Sequence, residues 1–270
     1  MQKTLPFIKM QALANDFAVI DCRKHAFVPT PEALQTLAHR QRGIGCDQIL
    51  LLYATPEADC LMTVYNADGS QAETCGNGAR CVAWLEMQRN KTAKATLSVS
   101  GRLLHAEKVG EHRVSLEMGA ATFAPECDAV LKKNFEEPSF VVSVGNPHLI
   151  FLTKRPCKEK FFQEKRKKLT QLRLFPQGIN IEALQILEPQ HLALQIFERG
   201  SGLTQACGSG ACAAAALARE KGFCPASSFR VSMPGGDVDV TFRKQLILTG
   251  EAHFVFEGKI DYSHLCKDSF

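Results

Sequence analysis

The sequence predicts an α+β fold of two homologous domains related by a pseudo-twofold, with the active site in the interdomain cleft. Three observations predict it: an internal repeat spanning half of the chain, strand-like runs that outnumber helical patterns, and a length of 270 residues. That length suits two domains of about 100–150 residues each.

The repeat is read directly from the residues. Cys75-Gly-Asn-Gly-Ala-Arg-Cys81 matches Cys207-Gly-Ser-Gly-Ala-Cys-Ala213, an offset of 132 residues (207 − 75), and each motif runs into an alanine-rich or apolar stretch. Upstream of each cysteine lies a strand-like run ending in a polar residue, Met62-Thr-Val-Tyr-Asn66 and Leu194-Gln-Ile-Phe-Glu198, again 132 apart (198 − 66). Earlier still, Asn15-Asp-Phe-Ala-Val-Ile20 stands against Asn146-Pro-His-Leu-Ile-Phe151 at 131 (146 − 15), and Gly43-Ile-Gly45 against Gly178-Ile-Asn180 more loosely. Self-similarity held across such landmarks reports architecture, and the cleft between two such halves is a common place for a small-molecule pocket. The expected domains are 1–124, carrying Cys75, with the tail 259–270 a candidate to return to it, and 125–258, carrying Cys207.

Along the chain, the β-branched and aromatic runs at 61–65, 140–144, 192–197, 238–242 and 253–256 read as strands. Pro31 to His39 reads as a helix, with Thr30 as N-cap and proline at the first position. Gly78 to Gln88 and Gly210 to Lys221 read as the helices that follow the two cysteine motifs. The charged stretch 158–168 reads as a solvated helix face.

Composition narrows the function classes. Apolar residues make up 45% and charged residues 22%, as in an ordinary globular protein. The net charge is only +4 and no long basic stripe is present, so nucleic acid is not an expected partner. No stretch approaches the roughly 18 apolar residues of a membrane span, and the N-terminal residues lack the apolar core of a signal peptide. A cytoplasmic location and no membrane partner are therefore expected. Eleven cysteines, an odd number, fit reduced thiols better than a disulfide framework.

The Cys-Gly-x-Gly unit suits proton abstraction from carbon. Inversion at an α-carbon removes a proton from one face and delivers one to the other, most directly by two opposed groups whose pKa lies near the working pH. A cysteine thiol, ordinarily near about 8.5, forms thiolate with modest help from a helix N-terminus. The glycines allow backbone N–H groups to approach a ligand closely, and the following helix presents its positive end to a carboxylate. Cys75 and Cys207 are thus the candidate acid and base. The two halves differ where Asn66 answers Glu198 and Phe17 answers His148, so only the second half carries ionisable groups there. A zinc site is disfavoured by spacings of six (81 − 75) and five (212 − 207) with no CxxC pair. A regulatory disulfide between Cys75 and Cys207 remains a rival.

At these residues the chain closely resembles diaminopimelate epimerase, through Asn15-Asp-Phe, Gly45-Cys-Asp-Gln48, Asn66-Ala-Asp-Gly-Ser70, both cysteine motifs, Gly145-Asn-Pro-His148, Gly178-Ile-Asn180, Glu198-Arg199 and Pro234-Gly-Gly236. The resemblance implies that each half is a mostly antiparallel, barrel-like β-sheet wrapped around a central helix, and it implies interconversion of LL- and meso-diaminopimelate in lysine and peptidoglycan precursor biosynthesis, without pyridoxal phosphate, other cofactor or metal, by a homodimer. It implies Cys75 and Cys207 as the catalytic pair with His148 and Glu198 in support. It implies Gly76, Asn77, Gly208 and Ser209 around the carboxylate at the reacting carbon. Asn15, Gln48, Asn66, Asn146, Asn180, Glu198 and Arg199 complete the implied substrate contacts; a guanidinium such as that of Arg199 can grip a distal carboxylate with two parallel hydrogen bonds. The chain departs from the usual pattern at Gln11-Ala-Leu-Ala14, where His and Gly are commoner, at Gln71, where an acid is common, and at Ser209, often threonine. Among relatives, proline racemase-like enzymes carry histidine where this chain has Asn77, and phenazine-type isomerases lack both thiols. A fold-sharing protein without catalysis is the further alternative.

Overall fold

The computed structural model describes residues 4–72 and 75–261 and divides into two compact units, one reaching to Leu116 and resuming at Gly250, the other Glu117–Thr249. The chain runs β1 (Thr4–Ala12), β2 (Asn15–Asp21), α1 (Pro31–Ala38), β3 (Gln48–Tyr53), β4 (Cys60–Asn66), β5 (Gln71–Ala72), α2 (Gly76–Asn90), β6 (Lys94–Val99), β7 (Arg102–Lys108) and β8 (Arg113–Gly119). It continues with β9 (Thr122–Phe123), α3 (Asp128–Asn134), β10 (Ser139–Ser143), β11 (Pro147–Leu152), α4 (Glu159–Leu172), β12 (Asn180–Glu188), β13 (His191–Glu198) and β14 (Gly202–Thr204). Last come α5 (Gly208–Glu220), β15 (Ser228–Met233), β16 (Gly236–Phe242), β17 (Leu246–Glu251) and β18 (His253–Asp261).

Each unit has the same strand ladder. In the first, β18 pairs with β1 and β1 with β2, both antiparallel; β2 with β3 parallel, β3 with β4 antiparallel, β4 with β6 parallel, and β6, β7 and β8 antiparallel in turn. In the second, β9, β10 and β11 are antiparallel, β11 and β12 parallel, β12 and β13 antiparallel, β13 and β15 parallel, and β15, β16 and β17 antiparallel. Strand for strand the senses agree. Parallel neighbours need a crossover, and α1 and α4 supply it in corresponding places. Thr30 caps α1 by accepting from the Ala33 N–H at 3.3 Å, with Pro31 in the first turn. The charged α4 buries only Phe162 and Leu169 and leaves its remaining face largely to solvent.

Register sharpens the repeat. Phe17 lies opposite Gln48, and His148 lies opposite Asn180, so Asn180 answers Gln48 and not Gly45. The loose Gly43/Gly178 match is therefore out of register; the ladder keeps the 132-residue offset (180 − 48) instead. The end of the chain also has a definite place in part. β18 runs antiparallel to β1 from Thr4 opposite Asp261 to Gln11 opposite His253, so the described part of the tail, 259–261, belongs to this ladder, and 262–270 lie outside the described residues.

The two layers of each unit follow from burial on both faces of the sheet. Ala18, Ile20, Ile49 and Leu51 pack toward Leu34 and Leu37 of α1, while Leu149, Phe151, Ile181 and Ala183 pack toward Phe162 and Leu169 of α4. The opposite sheet face receives α2 or α5. Helix α5 is buried along Ala211–Ala218 and touches β10, β11, β12, β13, β15 and β16, so the sheet wraps it. A helix apolar on every side is one enclosed on every side, and alanine lets strands approach it closely. Helix α2 packs likewise on β1, β2, β6 and β7.

The β1–β2 connection is a two-residue turn, Leu13-Ala14, flanked by the pair Ala12 and Asn15. Both turn residues are left-handed, with φ of 56° and 60°. A two-residue hairpin demands this conformation and favours Asn or Gly there; an L side chain costs about 1–2 kcal/mol. The Gln11 side chain offsets part of this by accepting from the Ala14 N–H at 3.2 Å. The departure at residues 11–14 is thus a strained turn clipped by its own glutamine. Ala14→Gly should raise unfolding stability by about 1 kcal/mol in urea melts; no gain would show that the turn carries no strain.

Candidate active site

Each unit carries its own set of candidate site residues at the N-terminus of its enclosed helix. In the first, Cys75 is the N-cap of α2 and its sulfur accepts from the Gly78 N–H at 3.3 Å. A sulfur in that place sits against the unpaired N–H groups and positive end of the helix, which favours thiolate. Its Sγ also lies 3.8 Å from Asn15 Oδ1, toward which Asn77 Nδ2 points from 3.5 Å. Fully buried Arg80 donates to Asn77 Oδ1 at 2.8 Å, orienting that amide. On the adjoining strand ends, Gln48 Nε2 donates to Asn66 Oδ1 at 3.0 Å and Asn66 Nδ2 to Ser70 Oγ at 3.1 Å.

Asn15 is fixed by a charged frame whose Asp16 and Asp47 lie inside the Asn15-Asp-Phe and Gly45-Cys-Asp-Gln48 motifs but were given no role there. Its Nδ2 donates to Asp47 Oδ2 at 3.2 Å, and Arg40 grips both oxygens of Asp16 at 2.9 Å while reaching Asp47 Oδ1 at 2.7 Å. Nearly buried Lys9 completes the frame at 2.6 Å from Asp16 and donates to the Gly45 carbonyl.

In the second unit, Cys207 is the N-cap of α5 and lies 3.4 Å from Ser209 Oγ. It is buried where Cys75 is half-exposed. Burial pushes the Cys207 thiol well above its ordinary range, the charge of Glu198 adds to this, and the Ser209 hydroxyl pulls the other way. Glu198 is itself raised by burial, and Thr204 Oγ1 donates to it at 2.7 Å. Asn180 Nδ2 donates to the Pro147 carbonyl at 3.2 Å, while its Oδ1 accepts from the Arg199 N–H at 2.9 Å. The Arg199 side chain is exposed and packs over Gly178, where a Cβ would stand 3.0 Å from it and where a φ of 78° favours glycine. Gly76 and Gly208 supply backbone in the first turns of α2 and α5.

His148 is fully buried on β11. Its Nδ1 is 2.5 Å from Glu182 Oε1 and its Nε2 3.1 Å from Asn146 Oδ1. Glu182 was not among the residues expected from sequence. The repeat contains its signal, because Glu182 answers Leu50 at the same 132-residue offset (182 − 50), putting a carboxylate where the other copy has an apolar side chain. Among the other buried thiols, burial pushes Cys46, Cys60 and Cys81 up to about 12. Among the described residues no group of three or more His, Cys, Asp or Glu is arranged to hold a metal ion, and no helix is long and apolar enough to cross a membrane.

This architecture places the chain in a class of duplicated folds. It matches a probable proline racemase from Agrobacterium radiobacter with a TM-score of 0.71 at 13% identity, covering 97% of this chain and 94% of that one. A PhzF-family phenazine biosynthesis protein from Bacillus anthracis matches with a TM-score of 0.68 at 18% identity, covering 96% and 99%. At such identities the likeness is one of fold. Sequence narrows the class: the family model described as diaminopimelate epimerase matches residues 7–124 and 140–255. The chain is 36% identical over 278 residues to the diaminopimelate epimerase of Acidiphilium cryptum, covering 98% of this chain and 99% of that one. It is 34% identical over 275 residues to that of Phenylobacterium zucineum, covering 94% and 97%. This chain belongs to the diaminopimelate epimerase family.

The frame around Asn15 makes a pH prediction. Burial pulls Asp16 upward, but hydrogen bonds from Arg40 and Lys9 outweigh it and hold the carboxyl well below the usual carboxylate range. A group depressed in the folded state contributes stability above its unfolded pKa of about 4 and loses it as pH falls toward its folded value. Asp16→Asn should therefore be less stable than wild type at pH 6, with the gap closing toward pH 2 in urea melts. A gap that stays constant with pH would exclude this linkage.

Proposed function

We propose that this chain interconverts LL- and meso-diaminopimelate at one α-carbon, with Cys75 and Cys207 as a thiolate and thiol pair and with no pyridoxal phosphate or metal in the step. The observation that carries the reading is the duplicated cysteine N-cap, one at the head of each enclosed helix, in a member of this family. One sulfur, as thiolate, takes the α-proton and becomes a thiol; the other, as thiol, gives its proton to the opposite face and becomes a thiolate. Atoms and charge balance, and the reverse reaction exchanges the roles.

The charge that develops on the substrate spreads into its α-carboxylate. N–H groups in the first turns, at Gly76, Asn77, Gly208 and Ser209, are assigned to meet it, which is preorganised stabilisation of a transition state. Asn15, Gln48, Asn66, Asn146, Asn180 and Arg199 are assigned to the rest of the substrate, with Glu198 beside them. Half-buried and buried amides left without a substrate partner by a molecule lacking the second amino-acid head would disfavour it. Glu198 and His148 are assigned to support the thiols.

The same reading places the enzyme in the cytoplasm, in lysine and peptidoglycan precursor synthesis, as a homodimer. A surface suited to self-association is the run Phe254-Val255-Phe256 on β18, whose residues are 45%, 48% and 45% exposed. Val255→Asp is expected to yield monomer by sedimentation; an unchanged mass would move the interface elsewhere.

Deuterium incorporation from D₂O at the α-carbon of LL-diaminopimelate, followed by NMR, tests the chemistry. Reduced wild type should exchange with conversion to the meso form, and Cys75→Ala and Cys207→Ala should each lose at least about a thousandfold in turnover. No exchange by fresh, reduced wild type would overturn the assigned reaction, and full turnover by either alanine variant would overturn the two-thiol mechanism.

A further inference from the structure

Beneath the head of α5 the protein buries an ionisable pair. Glu182 and His148 are both inaccessible to solvent, 2.5 Å apart, on adjacent parallel strands β12 and β11. A Cβ at Gly210 in α5 would stand 3.1 Å from Glu182 Oε1 and 3.6 Å from the Cys207 sulfur, so the carboxylate reaches the cysteine turn across a bare glycine. The equivalent place in the first unit is apolar. There a Cβ at Gly78 would meet Leu50 at 3.1 Å and Phe17 at 3.4 Å, and these two residues answer Glu182 and His148 in the repeat.

The duplicate is an internal control. The same ladder and the same helix head close over phenylalanine and leucine in one unit, so the fold itself has no need of charge at this position. Burying a carboxylate and an imidazole is costly, and replacing such a pair with apolar groups is often neutral or stabilising. Burial pulls the Glu182 carboxyl upward and His148 opposes that rise. Among the described residues, Glu198 on β13 and Cys207 at the head of α5 both feel Glu182, and Glu198 also feels His148.

We propose that Glu182 is a positioning residue for the epimerisation: it accepts the His148 Nδ1 proton, fixes the ring, and leaves Nε2 as the acceptor facing the Asn146 amide, which pairs with it when its NH2 group is turned toward the ring. A carboxylate on one ring nitrogen decides the tautomer and aims the other nitrogen. This rests on the assignment of His148 and Cys207 to the reaction, and the tests separate the two.

Glu182→Gln keeps the shape and removes the charge. The expected result is a kcat lower by about 10–100-fold, the loss typical when a group orienting a functional histidine is removed, with KM changed by less than about threefold. In ¹⁵N-histidine NMR, the His148 Nδ1 proton should be strongly downfield in wild type and move upfield in the variant. A kcat within about twofold of wild type, or an unmoved Nδ1 resonance, overturns the proposal. The double variant H148F/E182L installs the first unit's pair; it should be inactive yet melt no lower than wild type, and a markedly lower melting temperature would instead make the pair a structural requirement and overturn the proposal. Wild type that fails to turn over diaminopimelate would sink the assigned reaction, while the NMR comparison would still decide whether Glu182 sets the imidazole.

Discussion

A helix wrapped by a sheet has only its ends left with which to meet anything else. Much of this structure answers to that constraint. Enclosure demands small side chains along α5, where alanines run from Ala213 to Ala216, and it concentrates the unpaired N–H groups and partial positive charge of the helix at one accessible head. A sulfur placed as N-cap is then held by backbone that packing has already immobilised. At α2 the geometry is explicit, with the Cys75 sulfur accepting from Gly78. The reactive atom inherits its position from the core.

Duplication supplies two such heads, and divergence makes them unequal. The first is lined by amides and braced from outside by Lys9, Asp16, Arg40 and Asp47, largely charges that water can reach. The second is braced from within by His148, Glu182 and Glu198. Burial and the neighbouring Glu198 push the Cys207 thiol upward, whereas Cys75 is half-buried at a capped helix end, so the two sulfurs sit in different surroundings.

Much of this was legible in the residues. The offset of 132 located both cysteine turns and both enclosed helices because glycine and alanine leave a plain mark where a helix begins and is surrounded. Strands with alternating or β-branched patterns, such as 61–65 and 238–242, were readable for the same reason. The runs that became β3 and β12 were harder: Ile49-Leu-Leu-Leu52 is buried on both faces and carries no alternation to read. Glu182 escaped, and Asp47 stood within a motif without a role, because a lone acid in a strand or loop has no local signature. Their roles depend on which side chains the parallel pairings bring beside them, His148 in one case and Asn15 in the other. Gly45 was matched to Asn180 because glycine-isoleucine recurs by composition, whereas register depends on hydrogen bonding along the ladder.

The interleaved connectivity has a consequence for how the chain comes into being. The second unit is continuous, Glu117–Thr249, but the first is completed by β18 lying along β1. During synthesis β1 and β2 emerge early and must hold an open sheet edge, with its unpaired N–H and C=O groups, until more than a hundred further residues have been translated, about ten seconds or more at ordinary ribosomal speed. The strand that closes the earlier half is therefore made last, after the whole of the later half, and the first-made edge is the one that a ribosome-bound chaperone would have most reason to cover.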